Sequence, residues 1–294
     1  MSSDAAIARQ PARHGRLRGY LALARISNSP TVVSDALAGA ALAGALWPDG
    51  RVIAVAVAMA LFYTAGMVLN DLCDYAIDCQ QRPERPLPAG IVTRSEATAA
   101  VIALFVAGSA LLWSAGLAPF LSGLALIGVI VVYDFWHKTN PISPLLMAAA
   151  RALVYVTAAL AVAGSVSTQV LLWAGLLFAF VVGLTAIAKA EAGSGLAGYW
   201  PAALLALPAI VFVATMPPGV EWLLLAFFVA WTIYAASFVY RSERSIGRAV
   251  GYLIAGISLL DALALAIAGS SVGVASALVA WGLTLFLQRY IKGT

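Results

Sequence analysis

The stretch NDLCDYAIDCQQRPERPLPAG, residues 70–90, sets Asn70, Asp71, Asp74 and Asp78 in the pattern N-D-x-x-D-x-x-x-D and follows them with Arg82 and Arg85. It stands directly after the apolar run VIAVAVAMALFYTAGMVL. Carried on to its end, a helix over that run places Asp71, Asp74 and Asp78 at i, i+3 and i+7, on one face. Like charges crowded at the edge of a low-dielectric slab repel one another strongly. A cation among them removes that cost, and hard carboxylate oxygens suit Mg2+. Mg2+ takes one or two protein carboxylates and completes its shell with water and phosphate oxygens, so a diphosphate is the ligand this cluster predicts. Arg82 and Arg85 fit the same ligand, because guanidinium forks bind phosphate oxygens bidentately. Pro83, Pro86 and Pro88 end the helix and stiffen the segment. The bland alternative is a solvated interfacial loop in which the arginines pair with Asp78 or Glu84.

The chain that must position this cluster has 294 residues, 63% hydrophobic and only 10% charged, where soluble domains run near a quarter charged. Its apolar runs recur at about 20 residues, the length that crosses a hydrocarbon core of ~30 Å. The alternation of a membrane β-barrel is missing. The fold class expected is therefore all-α, a polytopic transmembrane helical bundle. Hydropathy marks ten runs, near 29–47, 51–69, 95–115, 119–133, 144–163, 169–188, 200–216, 220–239, 249–268 and 272–288. The last two form the open pair, because AGSSVGVAS reads as a kink or a re-entrant turn. Helix breakers (WPDG, TNPISP, MPPG, GSS) fill the short connections, so residues 25–292 read as one membrane-embedded domain behind a basic cytosolic tail, 1–24.

Placing the N-terminus in the cytoplasm leaves Arg51 alone among the 17 lysines and arginines on the far side, with Arg151 inside a span. That is a strong positive-inside signal, and it turns the acidic cluster and a central cavity toward the cytoplasm. The net charge of +4 reflects this topology and implies no nucleic-acid partner. MSSDAAIARQPARHGRLRGY is followed by no short apolar segment with a small-residue cleavage site. It reads as a cytosolic tail, with an Arg-rich organellar transit segment as the other reading. Cys73 and Cys79 lie on the reducing side, and His14 and His137 are distant in sequence, so zinc finds too few ligands.

The 70–90 motif resembles the first aspartate-rich motif of the UbiA superfamily of intramembrane prenyltransferases, N-D-x-x-D-x-x-x-D followed by R-P-x-R-P-[LI]-x-x-G. ARISNSPTVVSDALAGA resembles that family's first helix, with Arg25 and Asn28 in matching places, and VVYDFWHKTNPISPLLMAAAR resembles the segment after its fourth. The resemblance implies a bundle, usually of nine spans, against ten by hydropathy, so nine or ten is the expectation here. It implies a cavity open to the cytoplasm and sideways to lipid, and transfer of a prenyl group from an isoprenyl diphosphate donor to a hydrophobic or aromatic acceptor. Asp71, Asp74 and Asp78 would hold Mg2+, and Tyr133 and Lys138 would approach the diphosphate with Asn70, Arg82 and Arg85. The physics agrees. Ionising an allylic diphosphate needs positive charge on the departing oxygens, and the resulting cation must be kept from water, which a pocket inside a membrane bundle does.

The likeness to that family fails at its second aspartate-rich motif. The corresponding place reads AIAKAEAGSGLAGYW, where Glu191 is the only acid and Lys189 stands two residues before it. Three outcomes stay open: a second Mg2+ bound weakly through Glu191, Lys189 meeting the diphosphate in place of a metal, or lost catalysis. Altered but retained activity is the reading taken. Gly193, Gly195 and Gly198 spell G-x-G-x-x-G, but between two membrane runs and not after a strand, which excludes a dinucleotide fold. Intramembrane charges are functional candidates by default. Asn28 and Arg151 are taken as diphosphate or acceptor contacts, Asp35 lies deeper, and Asp261 reads as an interhelical hydrogen bonder. Two competing functions remain, a non-catalytic prenyl-diphosphate binder and a cation-coupled secondary transporter. The transporter is disfavoured because such proteins keep their charges near the midplane. Acceptor candidates span aromatic rings, alcohols and glycerol phosphates, and the expected compartment is the bacterial inner membrane.

Overall fold

The computed structural model describes residues 13–45, 50–137, 140–189, 198–241 and 244–291. Its elements in chain order are α1 (Arg13–Leu23), a 3-10 turn (Ile26–Asn28), α2 (Ser29–Leu42), α3 (Gly50–Cys73), α4 (Tyr75–Gln81), α5 (Arg94–Ala115), α6 (Leu117–Trp136), α7 (Ser143–Ala163), α8 (Thr168–Lys189), α9 (Trp200–Thr215), α10 (Glu221–Tyr240), α11 (Ile246–Ile267) and α12 (Ser271–Gln288). There is no strand among the described residues. Each of the ten hydropathic runs is a helix. Eight of these helices are long and apolar enough to cross a membrane, namely α3, α5 to α8 and α10 to α12. The 16-residue α9 is shorter and carries Pro208 inside it. The 14-residue α2 rises only about 21 Å, short of a hydrocarbon core of ~30 Å. Within AGSSVGVAS, residues 268–270 make a tight turn and residues 271–276 already belong to α12, and α11 and α12 pack side by side across the turn.

Helix starts follow local chemistry. Pro30, Pro144 and Pro201 occupy first-turn positions of α2, α7 and α9, where a missing N–H costs nothing. Thr93 and Glu96 form a reciprocal capping box at the start of α5. Each spanning helix packs on its successor, and α12 returns to α2, so the helices close a ring with α2 packed against α3, α7, α11 and α12. Large apolar side chains such as Val106, Ile233 and Val279 stay exposed on the outside, the surface a bilayer covers. The chain is a multi-span integral membrane protein.

Two details position the site. First, α2 approaches α7 closely because Gly39 faces the Tyr155 backbone; a Cβ there would stand 2.5 Å from the Tyr155 carbonyl oxygen. Small residues at a membrane helix interface permit this approach, and dispersion contacts reward it. Second, the segment after α4 is pinned from below: Leu87 and Val92 are buried with Leu23, Val68, Ala97 and Val101. Part of what reads as a tail in the sequence is thus α1, whose Leu23 enters this cluster and whose Arg16 meets Glu96 at 2.6 Å.

Candidate active site

The helix that should carry all three aspartates breaks between α3 and α4, at Asp74. The backbone bonds Asp74 N–Asn70 O and Asp78 N–Asp74 O, both 2.9 Å, carry the turn across the break. Asp71 and Asp78 therefore stay on the same side, and Arg85 joins them. Its Nη1 lies 2.7 Å from Asp78 Oδ2 and 3.5 Å from Asp71 Oδ1. Arg85 reaches back because the proline-rich segment folds over: Arg85 N bonds Arg82 O, Ala89 N bonds Arg85 O, and Gly90 takes a left-handed φ of 67°. Arg25 approaches Asp71 from the other side at 3.4 Å. It is the one non-glycine with positive φ among the described residues, at 41°. Such strain costs on the order of 1–3 kcal/mol and persists only where the surroundings impose it. Here the chain turns from α1 into the 3-10 turn, and the Tyr63 hydroxyl donates to the Arg25 carbonyl at 3.4 Å. Asp74 faces His137 Nε2 at 3.8 Å, and the His137 ring stacks on Tyr133.

Beside this ring of charge lies a partly open apolar chamber of about 100 Å3. Met59, Phe62, Leu126, Ile130 and Val154 give its greasy walls, and Tyr63, Tyr133, Asp134 and Arg151 its polar points. Asn70 links mouth and chamber by donating to Asp134 Oδ1 at 3.2 Å. Arg151 is held from behind: its Nη1 meets Asp35 Oδ2 at 2.5 Å, and its Nη2 donates to Thr31 Oγ1 at 2.9 Å. Asp35 and Asp261 are both fully buried. Asp261 accepts from the Tyr155 hydroxyl at 2.7 Å and from Ser34 Oγ at 2.5 Å, and Ser258 Oγ lies 2.9 Å from Ser34 Oγ. α2, α7 and α11 are thereby joined through polar groups, and Asp261 is the interhelical hydrogen bonder its position in the sequence predicts.

The predicted site residues come together unevenly. Asn70, Asp71, Asp74, Asp78, Arg85 and Arg25 gather at the mouth, and Tyr133 and Arg151 line the chamber. Arg82 is exposed at the end of α4. Asn28 is buried and is not itself a chamber-lining residue; its Oδ1 accepts from Gln288 Nε2 of α12 at 3.1 Å, and its side chain neighbours Tyr63 of the lining. Lys189 donates to the Asn140 carbonyl at 3.1 Å, bridging α8 to the segment before α7. Lys138, Glu191, Gly193 and Gly195 lie outside the described residues. Sequence reasoning missed Asp134 and Tyr63 as chamber residues and His137 as a neighbour of Asp74. Asp134 had one visible signal, an acid inside an apolar run.

Among the described residues no three His, Cys, Asp or Glu side chains converge to hold a metal ion unaided. Mg2+ does not require that, because it binds through one or two carboxylates plus water and phosphate. Asp71 and Asp78 reach the same guanidinium nitrogen, so hard oxygen donors stand together at the chamber mouth, and the donor set fits Mg2+.

The model of the UbiA prenyltransferase family matches residues 32–250. Among curated proteins, a digeranylgeranylglyceryl phosphate synthase of Methanoregula boonei is 35% identical over 127 residues, 42% of this chain and 44% of that protein. The synthase of Korarchaeum cryptofilum is 28% identical over 165 residues, 56% of this chain and 58% of that protein. The chain thus matches roughly half the length of these relatives. Among solved structures, a digeranylgeranylglyceryl phosphate synthase superposes with a TM-score of 0.63 at 18% identity, over 86% of this chain and 98% of the other. A UbiA homologue from Archaeoglobus fulgidus bound to GPP and Mg2+ gives 0.62 at 17% identity, over 85% and 99%. With the family's motif, helical bundle and mouth-and-chamber geometry in place, the chain belongs to the UbiA prenyltransferase family.

Proposed function

We propose that the chain transfers a prenyl group from an isoprenyl diphosphate to an acceptor held in the membrane chamber. The observation that carries this reading is the direct stacking of an arginine-laced aspartate motif on an apolar cavity, linked by the Asn70–Asp134 hydrogen bond. Family membership supports it, as do the relatives named as digeranylgeranylglyceryl phosphate synthases and the fold neighbours bound to GPP or DMAPP with Mg2+. Mg2+, when bound by Asp71, Asp74 and Asp78 with Glu191 as the donor on the second-motif side, supplies charge neutralisation on the diphosphate oxygens. Arg85 and Arg25 leave their carboxylate partners for those oxygens and stabilise the departing diphosphate, with Arg82, Lys138 and Lys189 as further cations. Tyr63 and Tyr133 line the chamber that would hold the carbocation, and aromatic rings near a cation stabilise it. The apolar walls hold the tail and exclude water.

Residues 25–292 are read as one membrane-embedded domain, in a prokaryotic cell membrane with the mouth toward the cytoplasm. The one-sided placing of lysines and arginines supports that orientation. The relatives it matches are archaeal, so the bacterial membrane expected from sequence stays a proposal. A non-catalytic diphosphate binder is the second reading, favoured by the thin second motif.

Mass spectrometry of lipid co-purifying with the parent and with Asp74→Ala tests the proposal. Prenylated product with the parent and its loss with the variant is the expected result. Intact prenyl diphosphate with no product in the parent would favour the binder.

A further inference from the structure

A second cavity, a groove of about 410 Å3, opens between α10, α11 and α12 and shares no lining residue with the chamber. Trp231 and Tyr234 of α10 and Tyr252 of α11 form its aromatic wall, and Arg248 at the start of α11 and Arg289 just past the end of α12 line it too. The wall is fixed: Trp231 Nε1 donates to the Tyr252 carbonyl at 2.9 Å, and the Tyr234 and Tyr252 rings stack with centroids 5.6 Å apart. Both arginines are exposed and no acid lines the groove. Neither guanidinium meets a carboxylate among the described residues. The transfer scheme above uses neither.

The place of the groove in the fold says what it meets. Gln288, which also lines it, bonds Asn28 beside the turn that carries Arg25, so the groove stands at the same end of the bundle as the mouth. Nearby side chains of α10 and α12, such as Ile233, Leu283 and Phe286, are exposed apolar groups that acyl chains cover. Tryptophan and tyrosine favour the level where headgroups meet hydrocarbon. Basic pockets between spanning helices at that level take anionic headgroups. Guanidinium groups with no carboxylate to satisfy them match the oxygens of a phosphate.

We propose that this groove is a binding site for one anionic phospholipid, with its phosphate on Arg248 and Arg289 and its glycerol and first chain carbons against Trp231, Tyr234 and Tyr252. A zwitterionic lipid carries its own cation beside the phosphate and gains less from two more. A soluble phosphate lacks the chain that the aromatic wall receives. The site is separate from prenyl transfer and stands whether or not the chain is an enzyme.

The test uses the full chain in detergent, with bound molecules counted by native mass spectrometry during titration with dioleoylphosphatidylglycerol, dioleoylphosphatidylcholine or glycerol 1-phosphate. The parent is compared with the double variant Arg248→Gln with Arg289→Gln. A second double variant, Arg18→Gln with Arg244→Gln, removes the same charge from exposed positions outside the groove. The parent is expected to take one phosphatidylglycerol at least about tenfold more tightly than phosphatidylcholine. The groove variant should lose that preference and the other variant keep it. No preference in the parent, which is read without any variant, overturns the site, and so does an equal loss in both variants. Glycerol 1-phosphate that binds as tightly as phosphatidylglycerol, with the same loss in the groove variant, makes this a soluble-anion site and overturns the lipid assignment.

Discussion

At the scale of single residues, the mouth is held by opposite charges, Arg25 and Arg85 against Asp71 and Asp78. Arg25 combines that role with backbone strain, its φ of 41° lying where only glycine is at ease. Arg25→Gly and Arg25→Ala both remove the contact with Asp71, yet only glycine relaxes the backbone. The glycine variant is expected to be more stable than the alanine one by about 1 kcal/mol, while both show weakened donor binding. Thermal unfolding in detergent and a donor-binding titration read the two effects separately; equal stability of the variants would remove the strain argument. What could be seen in the sequence at this scale was whatever is local along the chain. Asp71, Asp74, Asp78 and Arg85 fall within one short segment, so their nearness is legible along the chain, while the fold of the proline-rich segment brings Arg85 back onto Asp71 and Asp78. The Arg151–Asp35 pair joins residues 116 apart, and Asn70–Asp134 residues 64 apart. No spacing rule reaches that far, so the sequence alone does not show that α2 supplies Asp35 and Thr31 as the partners of Arg151.

At the scale of elements, the apolar runs announce their helices because a bilayer leaves the backbone no other way to satisfy its hydrogen bonds. Hydropathy is blind to the features that aim side chains. The break at Asp74 and the helix α1 depend on polar sequence whose shape is set by packing, Leu23 and Leu87 being buried together in the same cluster. The contact between α2 and α7 is the element on which Arg151 depends. Gly39→Val is expected to force these helices apart, because the added carbons collide with Tyr155 backbone. The predicted outcome is a loss of about 1–3 kcal/mol, as for overpacking elsewhere, together with loss of transfer activity. Gly128→Ala on α6, where a Cβ meets nothing within 4 Å, should leave both unchanged. Equal behaviour of the two variants in a detergent melt and a turnover assay would contradict the close-approach argument.

At the scale of the whole molecule, the bundle separates two tasks that interfere in water. Charge gathers at one end and a partly open, mostly apolar chamber lies behind it; on the prenyl-transfer reading, apolar walls of this kind keep water from the cation. The ring closes through α12, whose Gln288 bonds Asn28 beside the mouth, so the C-terminal helix braces the N-terminal turn that carries Arg25. The sequence left nine or ten spans open. The described helices include all ten runs, eight of them of spanning length, because length alone does not say whether a short helix such as α2 completes a crossing or is braced by its neighbours. The claim on which all of this stands is that the aspartate motif serves to release diphosphate from a prenyl donor. Diphosphate release by the purified chain in proteoliposomes, followed with and without Mg2+ for the parent and for Asp71→Asn with Asp78→Asn, measures it directly. Release that needs Mg2+ and falls at least about 100-fold in the double variant is the predicted result; release that survives either removal of the metal or the double substitution would contradict the account.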